Sequence, residues 1–259
     1  MLRWRFVTAL LLAPVVLGAI MLGRWAIVAV IIVVVALAAY ELARALKPLP
    51  FAVAFGAGVL PVLFSIPYSA SGALAGAVLS LPWALFWLTS RSDARTLRAV
   101  LALLLMTLWV GTPLAHLNLI EELPDGRYLV LVAVTGPWIS DSGAYFAGHF
   151  FGRHPLFPAL SPKKTVEGAI GGLLVTMAAV GYFAQGFLDL GSVEAALFLG
   201  VAISFFSQAG DLFESVLKRL LDLKDLGQVL PGHGGILDRI DSLLFVAPAV
   251  YYLYVLFMP

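Results

Sequence analysis

No cysteine occurs among the 259 residues, so disulfides, thiolate metal ligands and thiol catalysis are all excluded. Charge is scarce as well: 12% of the residues are Asp, Glu, Lys or Arg, where a soluble domain carries roughly 25%. Water is therefore not the main solvent of this chain. The apolar runs also lack the period-two alternation that a membrane β-strand shows, which excludes a barrel and leaves helices as the spanning elements. The net charge of +1, from 16 Lys and Arg against 15 Asp and Glu, gives no sign of a nucleic-acid partner. Placement of charge matters more here than its sum.

What is present is apolar: 61% of residues are hydrophobic and the mean hydropathy is +0.99. The runs are about 16 to 22 residues long, close to the roughly 20 that cross a bilayer core as helix. Bounded by charge, Pro or Gly, they predict spans near 6–22, 25–45, 51–66, 72–90, 97–117, 128–150, 166–187, 193–217 and 242–258, about nine in an all-α bundle. Arg3 and Arg5 before the first run fit a signal peptide, but the next run begins at Trp25 almost without a break, which favours a first span. Pro61 interrupts the third run, and Asp141, Ser142 and His149 sit in the second half of the sixth. Two regions are expected: amino-terminal helices over 1–120, and carboxyl-terminal helices over 121–259 that carry the polar motifs.

Lys and Arg are expected in excess on the cytoplasmic side. With a cytoplasmic amino terminus, one side collects Arg3, Arg5, Arg44, Lys47, Arg91, Arg95, Arg98, Arg153, Lys163, Lys164, Lys218, Arg219, Lys224 and Arg239, while the other keeps Arg24 and Arg127. That asymmetry predicts a multi-pass protein of the cell membrane with its amino terminus inside. Glu121, Glu122, Asp125, Asp189 and Glu194 on the opposite side need no explanation beyond solvation. Arg44, Lys47, Arg91, Arg95 and Arg98 read as topology anchors, and Asp222, Lys224 and Asp225 as loop charges or local ion pairs rather than ligands.

Two dense polar stretches fall on the predicted cytoplasmic side. The first, from Trp138 to Gly172, contains DSGAYFAG from Asp141 and SPKKTVEG from Ser161. The second, from Gly210 to Ser242, places Asp211, Ser215, Lys218 and Asp222 at helical spacing, with Glu214 and Arg219 beside them. An ionisable residue inside a span costs about 2.5–3.5 kcal/mol on insertion scales, so it normally faces a bundle interior or a watery cavity. Asp211 is the clearest such case. Pro231, Gly232, His233, Gly234 and Gly235 cannot form regular helix, and such glycines suit a loop wrapped on phosphate or metal. Asp238, Arg239 and Asp241 then open the last span. Carboxylates without Cys partners suit magnesium better than zinc, which nominates Asp211, Asp238, Asp241 and Asp141 as ligands of one ion or two.

The segment SVLKRLLDLKDLGQVLPGHGGILDRID, Ser215 to Asp241, resembles the diagnostic segment of the phosphatidate cytidylyltransferases, or CDP-diacylglycerol synthases. The matching residues are Ser215, Lys218, Arg219, Lys224, Asp225, Pro231, His233, Gly234, Gly235, Asp238, Arg239 and Asp241. DSGAYFAG and SPKKTVEG are similar to that family too, whereas the amino-terminal half resembles it only in hydropathy. The resemblance implies an all-helical membrane fold, a magnesium-dependent reaction of CTP with phosphatidic acid at the cytoplasmic face, and homodimers. It carries the family's metal-binding aspartates onto Asp211 and Asp238, and less firmly onto Asp241. The expected catalytic set is Asp211, Asp238, Lys218, Arg219 and Lys164. Ser161, Lys163, Lys164, Thr165, Ser215, Lys218, Arg219, His233, Gly234, Gly235 and Arg239 are expected to bind substrate.

Three other classes fit the residues less well. A proton- or ion-coupled transporter predicts polar residues toward the midplane from both sides, yet the first five spans hold almost no acid apart from Glu41. A CTP-dependent lipid kinase would need a base for a hydroxyl nucleophile. A structural scaffold gives no reason for PGHGG beside DRID.

Overall fold

The computed structural model describes residues 2–46, 49–88, 94–158, 160–223, 225–227, 229 and 234–258, with side chains omitted at 2–9, 11, 88 and 94–98. Its helices are α1 (Leu2–Leu22), α2 (Arg24–Ala45), α3 (Phe51–Leu88), α4 (Ala94–Leu104), α5 (Thr112–Glu121), α6 (Gly126–Phe151), α7 (Val166–Phe187), α8 (Val193–Leu220) and α9 (Leu237–Phe257). A π-helical turn, Leu105–Gly111, joins α4 to α5. Strands β1 (Pro155–Phe157) and β2 (Ser161–Thr165) form a small antiparallel hairpin before α7. The fold is thus nearly all-α, as expected, and the hairpin is the departure.

Six helical stretches are long and apolar enough to cross a membrane: Arg24–Ala45, Phe51–Trp87, Ala99–Glu121, Val166–Phe187, Val193–Leu220 and Leu237–Phe257. Leu12–Leu22 is a shorter apolar helix. By this measure the expected count of about nine is not confirmed. One reason is α6, whose Arg127, Asp141 and neighbouring hydroxyls dilute its apolar character. Another is α3, counted once although Ser69 (φ 50°, ψ −134°) divides it into the two arms expected at 51–66 and 72–90, and the third is α1, whose apolar part among the described residues is only Leu12–Leu22. The arms of α3 fold back on each other. A Cβ at Gly72 would lie 2.7 Å from the Phe64 carbonyl carbon, one at Gly76 equally close to that of Leu60, and Trp83 Nε1 donates to Val53 O at 3.1 Å. Glycine permits this approach because a side chain there would strike the facing backbone. Large apolar side chains point outward, among them Leu22, Phe86 and Tyr182, each more than 80% exposed. Lipid, rather than water, suits such a surface.

The chain divides into two compact units, one of residues 1–122 with 225–240 and the other of residues 123–224 with 241–259. In the first, α2 buries Ile27, Val28, Ile31, Val35, Ala38, Ala39 and Leu42, one face at helical spacing, among α1, α3 and α5. Several of its buried polar side chains are paired with one another. Asn118 donates to Ser65 Oγ at 3.0 Å and accepts from Arg24 Nε at 2.9 Å, while Ser80 and Thr107 share a hydrogen bond of 2.9 Å. Glu122, expected to be merely solvated, forms an ion pair with Arg24 and accepts from Ser69 Oγ at 2.8 Å. Ser69 is also the residue of positive φ at which α3 bends.

In the second unit α7 packs between α6 and α8. Small residues line the α6–α7 seam: Gly143 faces Gly171 and Gly172, and Gly148 faces Gly168. Across to α8, Ser140 and Ser204 share a hydrogen bond of 3.0 Å. The body of α9 lies against α8, where Ser242 Oγ donates to Ser207 O at 3.0 Å and Phe245 meets Phe213. Gly210 makes that approach possible, since a Cβ there would sit 2.8 Å from Ser242 Cα.

Candidate active site

The SPKKT sequence cannot continue a helix, because Pro162 lacks an amide hydrogen and disfavours helical geometry in the residue before it. It pairs instead with Pro155–Phe157, in register Pro155 to Thr165 and Phe157 to Ser161. The hairpin is then fixed to the start of α7. Thr165, extended at φ −120°, caps that helix by accepting from Gly168 N–H at 3.1 Å. The Glu167 carboxylate accepts from the backbone of Arg153 (3.1 Å) and His154 (3.2 Å) and meets His154 Nδ1 at 2.5 Å. Thr165 and Glu167 thus hold the strand that carries Lys163 and Lys164.

Those lysines line a cavity of about 670 Å³, a volume suited to a small-molecule ligand. From α6 come Asp141, Ala144, Tyr145, Gly148 and His149, which share one face at spacings of three and four. The hairpin supplies Leu156, Ser161, Lys163, Lys164 and Thr165, α7 supplies Gly168 and Ala169, and α8 supplies Gln208 and Asp211. The small residues leave the volume open, and the charged ones line it. Lys164 forms an ion pair with Asp211, both half-buried. Gln208 is anchored by donating to Ser204 Oγ (3.1 Å) and Ala169 O (3.3 Å).

On α9, Asp241 is 9% exposed and has Asp211, Asp141 and Glu214 as acidic neighbours. Their juxtaposition follows from Gly210, which precedes Asp211 and brings α8 onto the backbone of Asp241. Glu214 is itself buried and pairs with Lys218 at 2.7 Å, one helical turn on. Anionic oxygens so concentrated favour a hard cation, and Asp141, Asp211 and Asp241 fit magnesium by donor type. Among the described residues, however, no three His, Asp or Glu side chains already converge as a ligand set.

Six of the residues expected from sequence therefore share one cavity: Asp141, Ser161, Lys163, Lys164, Thr165 and Asp211. Asp241 adjoins Asp211. Ser215, Lys218 and Arg219 belong to the same unit but lie further along α8, Arg219 exposed in its last turn. Gly234, Gly235, Asp238 and Arg239 belong to the other unit, where Gly234 adopts φ 81° and Asp238 Oδ2 accepts from Gly235 N–H at 2.9 Å. His233, Lys224 and Pro231 fall outside the described residues. Sequence reasoning passed over Tyr145, His149 and Gln208 as wall residues. Their spacing supplied a signal, since 145 and 149 lie one and two turns beyond Asp141 and 208 lies one turn before Asp211.

A helical protein with several apolar spans, whose second unit opens a charged cavity within its helices, belongs to the class of multi-pass membrane proteins with a polar site. A family model described as the cytidylyltransferase family matches residues 3–257, and the chain belongs to that family. It is similar to the phosphatidate cytidylyltransferase of Staphylococcus saprophyticus, 42% identical over 136 residues that make up 52% of each chain. The phosphatidate cytidylyltransferase of Bacillus subtilis is 46% identical over 135 residues, 51% of this chain and 49% of the relative. That of Staphylococcus aureus is 45% identical over 133 residues, 49% of each. The chain thus matches about half the length of these curated relatives.

Proposed function

We propose that the chain transfers the cytidylyl group of CTP to phosphatidic acid, releasing pyrophosphate and forming CDP-diacylglycerol. The observation that carries this reading is the cavity lined by Lys163 and Lys164 together with Asp141 and Asp211, in a member of the cytidylyltransferase family. An oxygen of the phosphatidate phosphate bonds to the α-phosphorus of CTP, and the bond from that phosphorus to the α–β bridging oxygen breaks. The nucleophile is already anionic, so no general base is required. Catalysis of this kind rests on positioning and charge stabilisation.

Lys163 and Lys164 neutralise phosphate oxygens in the cavity. Because Lys164 is already paired with Asp211, an entering phosphate competes for the ammonium and releases the carboxylate. Lys218 and Arg219 are assigned to phosphate as well, with Ser161, Thr165, Ser215, His233, Gly234, Gly235 and Arg239 as substrate contacts. Asp141, Asp211 and Asp241 are the residues of this unit that would hold magnesium, which supplies charge neutralisation when bound; Asp238 joins them on the sequence motif alone. A homodimer in the cell membrane, with amino terminus and active site cytoplasmic, completes the proposal.

The test is incubation of the purified protein with α-labelled CTP, phosphatidic acid and magnesium. Label is expected in the lipid phase. Lipid labelled only from γ-labelled CTP would establish a kinase instead, and no labelled lipid from either nucleotide would remove the enzymatic reading.

A further inference from the structure

Glu41 is the acid that stands out in the apolar amino-terminal half, on α2, and nothing in the reaction above uses it. Its side chain is 2% exposed. Both carboxylate oxygens are occupied by backbone from a segment nearly two hundred residues away in sequence: Oε1 accepts from Ile236 N–H at 2.8 Å and Oε2 from Leu237 N–H at 3.1 Å. The Val229 amide also bonds to it. Ile236 and Leu237 enter the first turn of α9, where amide hydrogens have no partner within the helix. Glu41 thus serves as a helix cap supplied from elsewhere in the chain, all within one compact unit.

The glycines of the diagnostic segment match this arrangement. A Cβ at Gly235 would lie 2.6 Å from Glu41 Oε2 and 2.8 Å from Asp238 Oδ2, so a side chain there would displace one carboxylate or the other. Gly227 likewise has the Glu41 carboxyl group against its own missing side chain. Asp238 in turn accepts from Gly235 N–H at 2.9 Å. The backbone of 235–237 is therefore gripped from both sides, by Asp238 locally and by Glu41 from α2.

We propose that Glu41 is a positioning residue: by capping Ile236 and Leu237 it fixes the turn that presents Asp238, and so sets the rate of the proposed reaction without touching substrate. The inference rests on the functional reading above for its kinetic half and on the hydrogen bonds alone for its structural half. Glu41→Gln is the sharpest probe. It keeps the shape but turns an NH2 group toward at least one of the three amide donors, so at least one bond is lost and a donor faces a donor.

The experiment compares the full-length wild type, Glu41→Gln and Glu41→Asp in detergent, by turnover, unfolding temperature and amide hydrogen exchange. Glu41→Gln is expected to lower kcat about 100-fold, the scale of a misplaced reacting group, with KM for CTP within about threefold. Its unfolding temperature should fall by only about 2–8 °C, the scale of one stranded buried donor, while the Ile236 and Leu237 amides exchange at least about tenfold faster. Glu41→Asp keeps both acceptors on an arm one methylene shorter and should recover at least about tenfold of the loss. Wild-type kcat in Glu41→Gln overturns the proposal, as does a loss that tracks a lowered unfolding temperature with no local change in exchange. If the wild type labels no lipid, the functional reading fails; unchanged exchange at the two amides would still refute the clamp, and local acceleration would still support it.

Discussion

Both compact units use the same packing device and put it to different ends. In the first, glycines 72 and 76 bring the arms of α3 into backbone contact, and the polar groups buried nearby satisfy one another. In the second, glycines 143, 148, 168, 171 and 172 draw α6 and α7 together just as closely, yet the charged groups beside that seam face a cavity. Close approach through small residues is thus a property of helices in lipid, where tight contact replaces the hydrophobic effect between them. Function is marked by what the charges face. A serine or asparagine that closes a bond between helices holds the bundle together, while a lysine and aspartate paired at the wall of an open volume can exchange partners with a ligand.

Asp211→Asn gives the comparison its hardest test. It removes a charge that pairs with Lys164 and adjoins Asp241, and turnover should fall by about 1,000-fold, the upper range for a single electrostatic contributor. Yield from the membrane should stay normal, since a neutral side chain is easier to insert. Near-normal turnover in the labelled-CTP assay would show that the cavity is not the site. Lys164→Gln comes next, with turnover down about 100-fold and KM for CTP raised, because one phosphate-facing charge is lost while Lys163 remains.

How much of this was legible beforehand differs between the two units for a physical reason. Asp141 and Asp211 stood out because an ionisable residue in an apolar run has few tolerable explanations, Lys163 and Lys164 because they sit in the dense polar stretch SPKKTVEG, and the structure places all four on one cavity. The wall residues Tyr145, His149 and Gln208 are ordinary membrane-helix residues whose role depends on which face meets the cavity, and that face is set by packing. The role of Glu41 was illegible for another reason: its partners are the amides of Ile236 and Leu237, and a backbone amide leaves no mark in sequence. Glu122 misled because a carboxylate near a span end looks solvated, whereas it pairs with Arg24 and accepts from Ser69, partners more than fifty residues away in sequence. The bend at Ser69 divides α3 into the two arms expected at 51–66 and 72–90.

Thr165→Ala should have a smaller effect than either charged substitution. The cap on Gly168 N–H is lost, which costs about 1 kcal/mol. Serine at the same position restores the acceptor, so Thr165→Ser should behave as wild type while Thr165→Ala turns over several-fold more slowly, about one power of ten at most for that energy. Equal losses in both variants would mean that the threonine methyl group, and not the cap, positions Lys163 and Lys164.

The smallest effect is expected in the first unit, and it is the one that most sharpens the contrast. Thr107 lies in the π-helical turn, 3% exposed, with its hydroxyl bonded to Ser80 Oγ at 2.9 Å and to Ala57 O at 3.3 Å. Thr107→Val keeps the shape and removes the hydroxyl. Ser80 loses one partner but still donates to Ala77 O at 2.7 Å, so no donor is stranded. Hydrogen bonds between membrane helices average about 0.6 kcal/mol, and the variant should lose about that much stability in a denaturation series while turnover stays within about twofold. A buried polar group with a helix-to-helix partner would then be shown to stabilise packing alone. Should Thr107→Val instead reduce turnover as far as Lys164→Gln does, facing a cavity would no longer separate the charges that react from the polar groups that merely hold helices together.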